Sequence, residues 1–104
     1  MSTFDDVRKI ALSLPNVEES TSYGTAAFKW KKKLLIRLKE DGETIVAIVG
    51  FDNRDLLMQL DPKTFFTTDH YNGYPSVLVR LKRISATKLR DVIAMTIAHR
   101  HKPR

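Results

Sequence analysis

The stretch AAFKWKKKLLIRLKEDGETIVAIV, residues 26–49, decides the fold class. Its apolar residues recur at every second position. Ala26, Phe28 and Trp30 alternate with Ala27, Lys29 and Lys31, and Leu34, Ile36 and Leu38 alternate with Leu35, Arg37 and Lys39. A period of two belongs to a strand, whose successive side chains point to opposite faces. Asp41-Gly42 falls between two such runs and marks a hairpin turn, since glycine adopts the positive φ that tight turns require. Thr44–Val49 is almost wholly apolar and β-branched, which predicts a central strand.

Outward from this stretch the pattern changes to helix at both ends. Thr3 can cap a first helix, with Asp5 and Asp6 at the positive end of its dipole. Phe4, Val7, Ile10, Ala11 and Leu14 share one face of that helix, and Leu14-Pro15-Asn16 stops it. A short helix is predicted from Asn53 to Leu60, started by Asp52 or Asn53 and closed by Asp61-Pro62. Thr64–Thr67 and Ser76–Lys82 read as two more strands, and Ser85 can cap a long helix with Leu89, Val92, Ile93 and Ile97 as its buried stripe. The order is α-β-β-β(-β)-α-β-β-α. Hairpin-linked strands with few helices predict an α+β domain of two layers, a mainly antiparallel sheet with helices on one face. Without repeats or linker-like tracts, residues 1–104 are expected to form a single domain.

Composition bounds the function. Hydrophobic residues make up 42% and charged residues 29%, which excludes a disordered tail, and no apolar run reaches the roughly 20 residues of a membrane span. Cysteine is absent, so there is no disulfide, thiolate metal site or cysteine nucleophile. Met1–Lys9 lacks the layout of a signal peptide, and a cytoplasmic location is expected.

The net charge of +6 comes from two segments: residues 26–39 hold six basic groups and no acid, and residues 80–104 hold eight basic groups and one acid. If Phe28, Trp30, Leu34, Ile36, Leu38, Val77, Val79 and Leu81 face the helices, Lys29, Lys31, Arg37, Lys39, Arg80 and Lys82 face water, and Lys31-Lys32-Lys33 forms a basic hairpin tip. Lys29, Lys31, Lys32, Lys33, Arg37, Lys39, Arg80, Lys82 and Arg83 are therefore the candidate nucleic-acid contacts, able to neutralise phosphates and release their counterions. The bland alternative is a solvated face that keeps the sheet soluble. Few aromatics accompany these residues, which argues against single-strand stacking.

The segment from Thr67 to Pro75 gathers Asp69, His70, Tyr71 and Tyr74, groups able to do acid–base chemistry, but no placed nucleophile completes a site. His99 and His101 lie two residues apart, so they do not share a helix face and find no third metal ligand. No catalytic residue, metal or cofactor is assigned.

Taken with Leu14-Pro15, Val17-Glu18-Glu19 and Ala27-Phe28-Lys29, the run Thr68-Asp69-His70-Tyr71-Asn72-Gly73-Tyr74-Pro75 leading into Val77-Leu78-Val79-Arg80-Leu81 resembles the MmcQ/YjbR family of small bacterial proteins. The resemblance spans essentially the whole chain. It implies a compact α+β fold of the double-wing type and a non-enzymatic DNA-binding role. Asp69, His70, Tyr71 and Gly73 match its motif without an assigned role, and the motif often carries Trp where this chain has Tyr74-Pro75. The fold is also similar to small secretion-chaperone-like domains, which implies as the alternative a protein-interaction module with a protein partner or a homodimer.

Overall fold

The computed structural model describes residues 1–101. Lys102 and Arg104, part of the second basic segment, lie outside the described residues. The elements run α1 (Phe4–Leu12), β1 (Val17–Ser22), β2 (Thr25–Trp30), β3 (Lys33–Leu38), β4 (Thr44–Ile48), α2 (Phe51–Leu60), β5 (Phe65–Phe66), β6 (Ser76–Arg80), a 3₁₀ turn (Leu81–Arg83) and α3 (Ala86–His101). All pairings are antiparallel in one six-stranded sheet of order β1-β2-β3-β4-β6-β5. The α+β class and the optional fourth strand before α2 are both present.

Local chemistry explains the boundaries. Thr3 and Asp6 form a reciprocal cap on α1: the Asp6 N–H donates to Thr3 Oγ1 (3.4 Å) and the Thr3 N–H donates to Asp6 Oδ2 (2.8 Å). The Asp41 carboxylate accepts from the N–H groups of Glu43 and Thr44, each at 2.9 Å, which closes the β3–β4 turn. The second helix begins earlier than the sequence predicts. Its cap is Gly50 at φ 95°, a backbone angle that side chains resist. A Cβ at Gly50 would also lie 3.2 Å from the His99 ring. The predicted strand Thr64–Thr67 shortens to Phe65–Phe66.

One face of the sheet carries the core. Phe28, Ile36, Ala47 and Val77 align in one cross-strand row, and Phe65, Val79, Ile45 and Leu38 in the next. They pack against Val7 and Ala11 of α1, Leu57 of α2, and Leu89, Val92 and Ile93 of α3. Each full burial of a Val, Leu, Ile or Phe side chain here stabilises by about 1.5–3 kcal/mol relative to leaving it exposed. The β2–β3 register contains a bulge: Phe28 faces Ile36, but Lys29 faces Leu34, leaving Leu35 as the extra residue. Leu35 joins the core, whereas Leu34, expected to face the helices, turns to the opposite face. Its carbonyl accepts from Arg100 Nε (3.0 Å) and Nη2 (2.8 Å), which fastens the last turn of α3 to the bulge. Burial lowers the Arg100 pKa from its ordinary value. That end of α3 is packed, with the His101 ring 4.2 Å from the Trp30 ring. Among the described residues no helix is long and apolar enough to cross a membrane.

Candidate functional site

The face away from the helices has a dry centre. Arg37 lies beside Ala27 and Val46, and Val46 beside Leu78, so the register puts all four on this face. Val46 and Leu78 are nevertheless buried. The cover is the 67–75 segment, folded back as two consecutive turns in which the Tyr71 N–H donates to Thr68 O (2.9 Å) and the Tyr74 N–H to Tyr71 O (3.0 Å). Its end is fixed where the N–H groups of Val49 and Gly50 both donate to Pro75 O at 3.0 Å. Arg54 of α2 holds its middle, Nη1 donating to Asn72 O (2.7 Å) and Tyr74 O (3.4 Å).

Beneath this segment lies a cavity of about 510 Å³, within the range of small-molecule sites. Leu34, Val46, Ile48 and Ser76 form its floor. His70, Tyr71 and Tyr74 form an aromatic wall, with ring centroids 4.8 Å apart for His70–Tyr71 and 6.3 Å for the other two pairs. Tyr23, at the β1–β2 turn, stands at the mouth with Arg37 and Glu40.

Alternation along β3 puts Arg37 in water, but in the structure it is buried, 6% exposed. Alternation assigns a residue to a face but does not say what later covers that face. Its Nη2 meets Glu40 Oε2 at 2.7 Å and its guanidinium lies 5.4 Å from the Tyr23 ring centroid, while Nε and Nη1 find no hydrogen-bond partner among the described residues. Glu40 is held below its ordinary carboxylate value, first by its own backbone N–H and also by Arg37, against an opposing desolvation.

The other predicted contacts separate into two groups. Lys31, Lys32 and Lys33 are exposed at the β2–β3 tip, with Lys29 half-buried behind them. Lys39, Arg80, Lys82 and Arg83 gather at the opposite end of the strands, where Leu38 faces Ile45 and Thr44 faces Arg80. Five residues of β3 lie between Lys33 and Lys39, six steps or about 20 Å at the rise of a strand. Three of the second group have partners: Lys39 lies over Tyr71 (5.2 Å to the centroid), Arg80 over Phe66 (3.8 Å), and Lys82 Nζ pairs with Glu43 at 2.7 Å.

Of the motif residues, His70 and Tyr71 line the cavity, whereas Asp69 and Gly73 are exposed and do not. Asp69 and His70 make no hydrogen bond or ion pair with each other. Among the described residues no group of three or more His, Cys, Asp or Glu could hold a metal ion. Sequence reading missed Tyr23, Glu40 and the apolar floor. The available signal was Tyr23-Gly24, a turn pair that places an aromatic ring at a sheet end.

These features define the class: an antiparallel α+β domain with helices on one sheet face and a roofed cavity on the other. The same fold occurs in the crystal structure of Deinococcus radiodurans protein DR2400, with the family-model domain DUF419, at a TM-score of 0.81 and 22% identity over 98% of this chain and 80% of that one. No family model matches the chain itself. It is 32% identical over 111 aligned positions to uncharacterized protein Rv2570 of Mycobacterium tuberculosis and to uncharacterized protein Mb2600 of Mycobacterium bovis, covering 89% of this chain and 84% of each relative. The chain belongs to the family of these mycobacterial proteins.

Proposed function

We propose that the chain is a cytoplasmic, non-enzymatic DNA-binding domain of the MmcQ/YjbR double-wing type, which contacts duplex phosphates through the tip of the β2–β3 hairpin. The observation that carries this reading is the backbone of the tip. Lys31 and Lys32 hold φ of 48° and 69°, in the left-handed region where glycine or asparagine is far cheaper. Strain of this kind persists where the surrounding structure over-determines it, and it clusters at binding and switch regions. Here it projects Lys31 and Lys32, next to Lys33, into solvent. Lys29 supports the tip from behind, and Lys39, Arg80, Lys82 and Arg83 form a second, partly neutralised basic patch. Arg37 is withdrawn from phosphate contact by its burial. The fold shared with the DUF419 domain of DR2400 fits this reading.

The test is duplex affinity by fluorescence anisotropy across a salt series. Each phosphate neutralised contributes roughly −0.9 to the log–log slope, so K31E/K32E/K33E should flatten it by up to about three units, equally for unrelated duplexes. An unchanged slope removes the tip from the interface.

A second reading, a protein-interaction module, is favoured by α2, which leaves Phe51, Leu56 and Leu60 48%, 49% and 63% exposed. The partner it commits to is a second copy of the chain. A strictly monomeric protein in sedimentation equilibrium eliminates it.

A further inference from the structure

We propose that the cavity beneath the 67–75 segment binds a small organic anion, its acidic group held by Arg37 and its apolar or aromatic body lying on the β3–β4 floor. This goes beyond the DNA reading and does not rest on it. The argument begins with the guanidinium. A buried cation is tolerated when it is paired and its N–H groups are satisfied. Arg37 has one carboxylate, Glu40, on Nη2 alone, and the described residues offer Nε and Nη1 no acceptor. Glu40 sits at the rim with its side chain 65% exposed, so it is a solvated counter-ion that an incoming acid can displace.

The surroundings specify the rest of the ligand. Leu34, Val46 and Ile48 offer it no hydrogen-bonding side chain, which suits a carbon skeleton rather than a hydrated ion. The rings of His70, Tyr71 and Tyr74 meet edge to face, at 87° for His70–Tyr71 and 63° for Tyr71–Tyr74, and offer an aromatic body both ring edges and faces to pack against. Tyr23 completes the mouth. It is held at φ 53°, a left-handed angle unusual for an aromatic residue, and the residue is 87% exposed, with the Arg37 guanidinium 5.4 Å from its ring centroid. Strain in a non-glycine residue concentrates at such sites.

The experiment is an NMR titration of the intact chain with benzoate, phenyl phosphate, inorganic phosphate and benzamide, following the Arg37 Nε–Hε resonance and the tyrosine rings. Saturable shifts with benzoate or phenyl phosphate, and none with benzamide, are expected; whichever acid binds more tightly identifies the acidic group as carboxylate or phosphate. Arg37→Gln should weaken the preferred acid at least about tenfold, the size of one charge-assisted hydrogen bond. Because that variant removes a buried group, Glu40→Gln at the exposed rim supplies an independent check. It frees Arg37 from its internal competitor and should tighten binding several-fold. Benzamide binding as well as benzoate, inorganic phosphate binding as well as phenyl phosphate, no acid shifting these resonances, or E40Q failing to tighten binding would each overturn the proposal.

Discussion

The β2–β3 tip and the centre of the far sheet face draw their cations from the same 14-residue basic segment, residues 26–39, yet they treat them in opposite ways. At the tip, Lys31 and Lys32 form the two-residue turn and Lys33 opens β3; all three are exposed to water, with Lys31 Nζ 4.8 Å from the Trp30 ring centroid. At the centre, Arg37 is stripped of water, paired on one nitrogen and roofed by tyrosines. The choice of side chain fits each place. Lysine carries a compact, strongly hydrated charge on a flexible stem, suited to a mobile polyanion, whereas arginine is weakly hydrated and offers a rigid fork for a positioned acid. Basic composition therefore conceals two sites of different chemistry, one electrostatic and open, the other desolvated and shaped.

The largest effects should come from crossing the two sites. K31E/K32E/K33E is expected to abolish most of the salt-dependent duplex affinity while leaving the benzoate titration unchanged. Arg37→Gln is expected to do the reverse. If either variant alters both measurements comparably, the division between tip and cavity fails and the basic segment acts as one surface.

The roof supplies the next effect. Arg54 donates to the carbonyls of Asn72 and Tyr74, and its side chain is only 12% exposed. Arg54→Ala should cost about 1.5–3 kcal/mol, the usual contribution of hydrogen bonds to a charged group. Chemical denaturation measures that loss, and hydrogen exchange should accelerate at the amides of residues 71–75 while those of the tip stay as they were. Equal acceleration at both places would mean that the roof is not an independently held element.

How far the sequence revealed these sites depends on the range of the interactions involved. The Asp41-Gly42 turn, the Thr3 cap and the Ser85 cap, where the Lys88 N–H donates to Ser85 Oγ at 3.1 Å, are local and were legible. The bulge was not. Leu34-Leu35-Ile36 is uniformly apolar, so nothing in it marks where the period of two slips, and Leu34 was assigned to the wrong face. The burial of Arg37 was hidden for a different reason. Its roof arrives from more than thirty residues downstream, fixed by Pro75 O on the Val49 and Gly50 N–H groups, and alternation within β3 carries no information about it. The 67–75 segment stood out by composition, yet its meeting with Arg37 is a property of the fold.

The tip also predicts a gain. Replacing Lys31-Lys32 by Asn-Gly, the pair that a turn with two positive φ angles favours, relieves strain at both positions. K31N/K32G should be stabilised by about 1 kcal/mol, or about 4–8 °C in Tm for a domain of this size, while losing duplex affinity. Stability and binding moving in opposite directions would mark the lysines as retained for contact. A variant that is both more stable and equally tight in binding would leave the strain without a functional reason.

The smallest effect distinguishes the two regions by pH. Glu40, beside Arg37, has its folded-state pKa lowered from the ordinary 4.5. A carboxylate whose pKa is lower in the folded than in the unfolded state adds stability that is complete above the unfolded value and lost as pH falls through the folded one. The wild-type chain should therefore lose part of its stability on acidification below about pH 4.5 through this residue. Glu40→Gln has no such proton to take up, so its stability should decline less steeply across the same window, as followed by denaturant midpoints at successive pH values. The K31N/K32G variant changes no acidic group and should trace the wild-type slope, displaced upward. Parallel acid limbs for the wild type and E40Q would show that Glu40 is not coupled to folding, and that Arg37 is held in place by the apolar floor and the Tyr23 ring rather than by its ion pair.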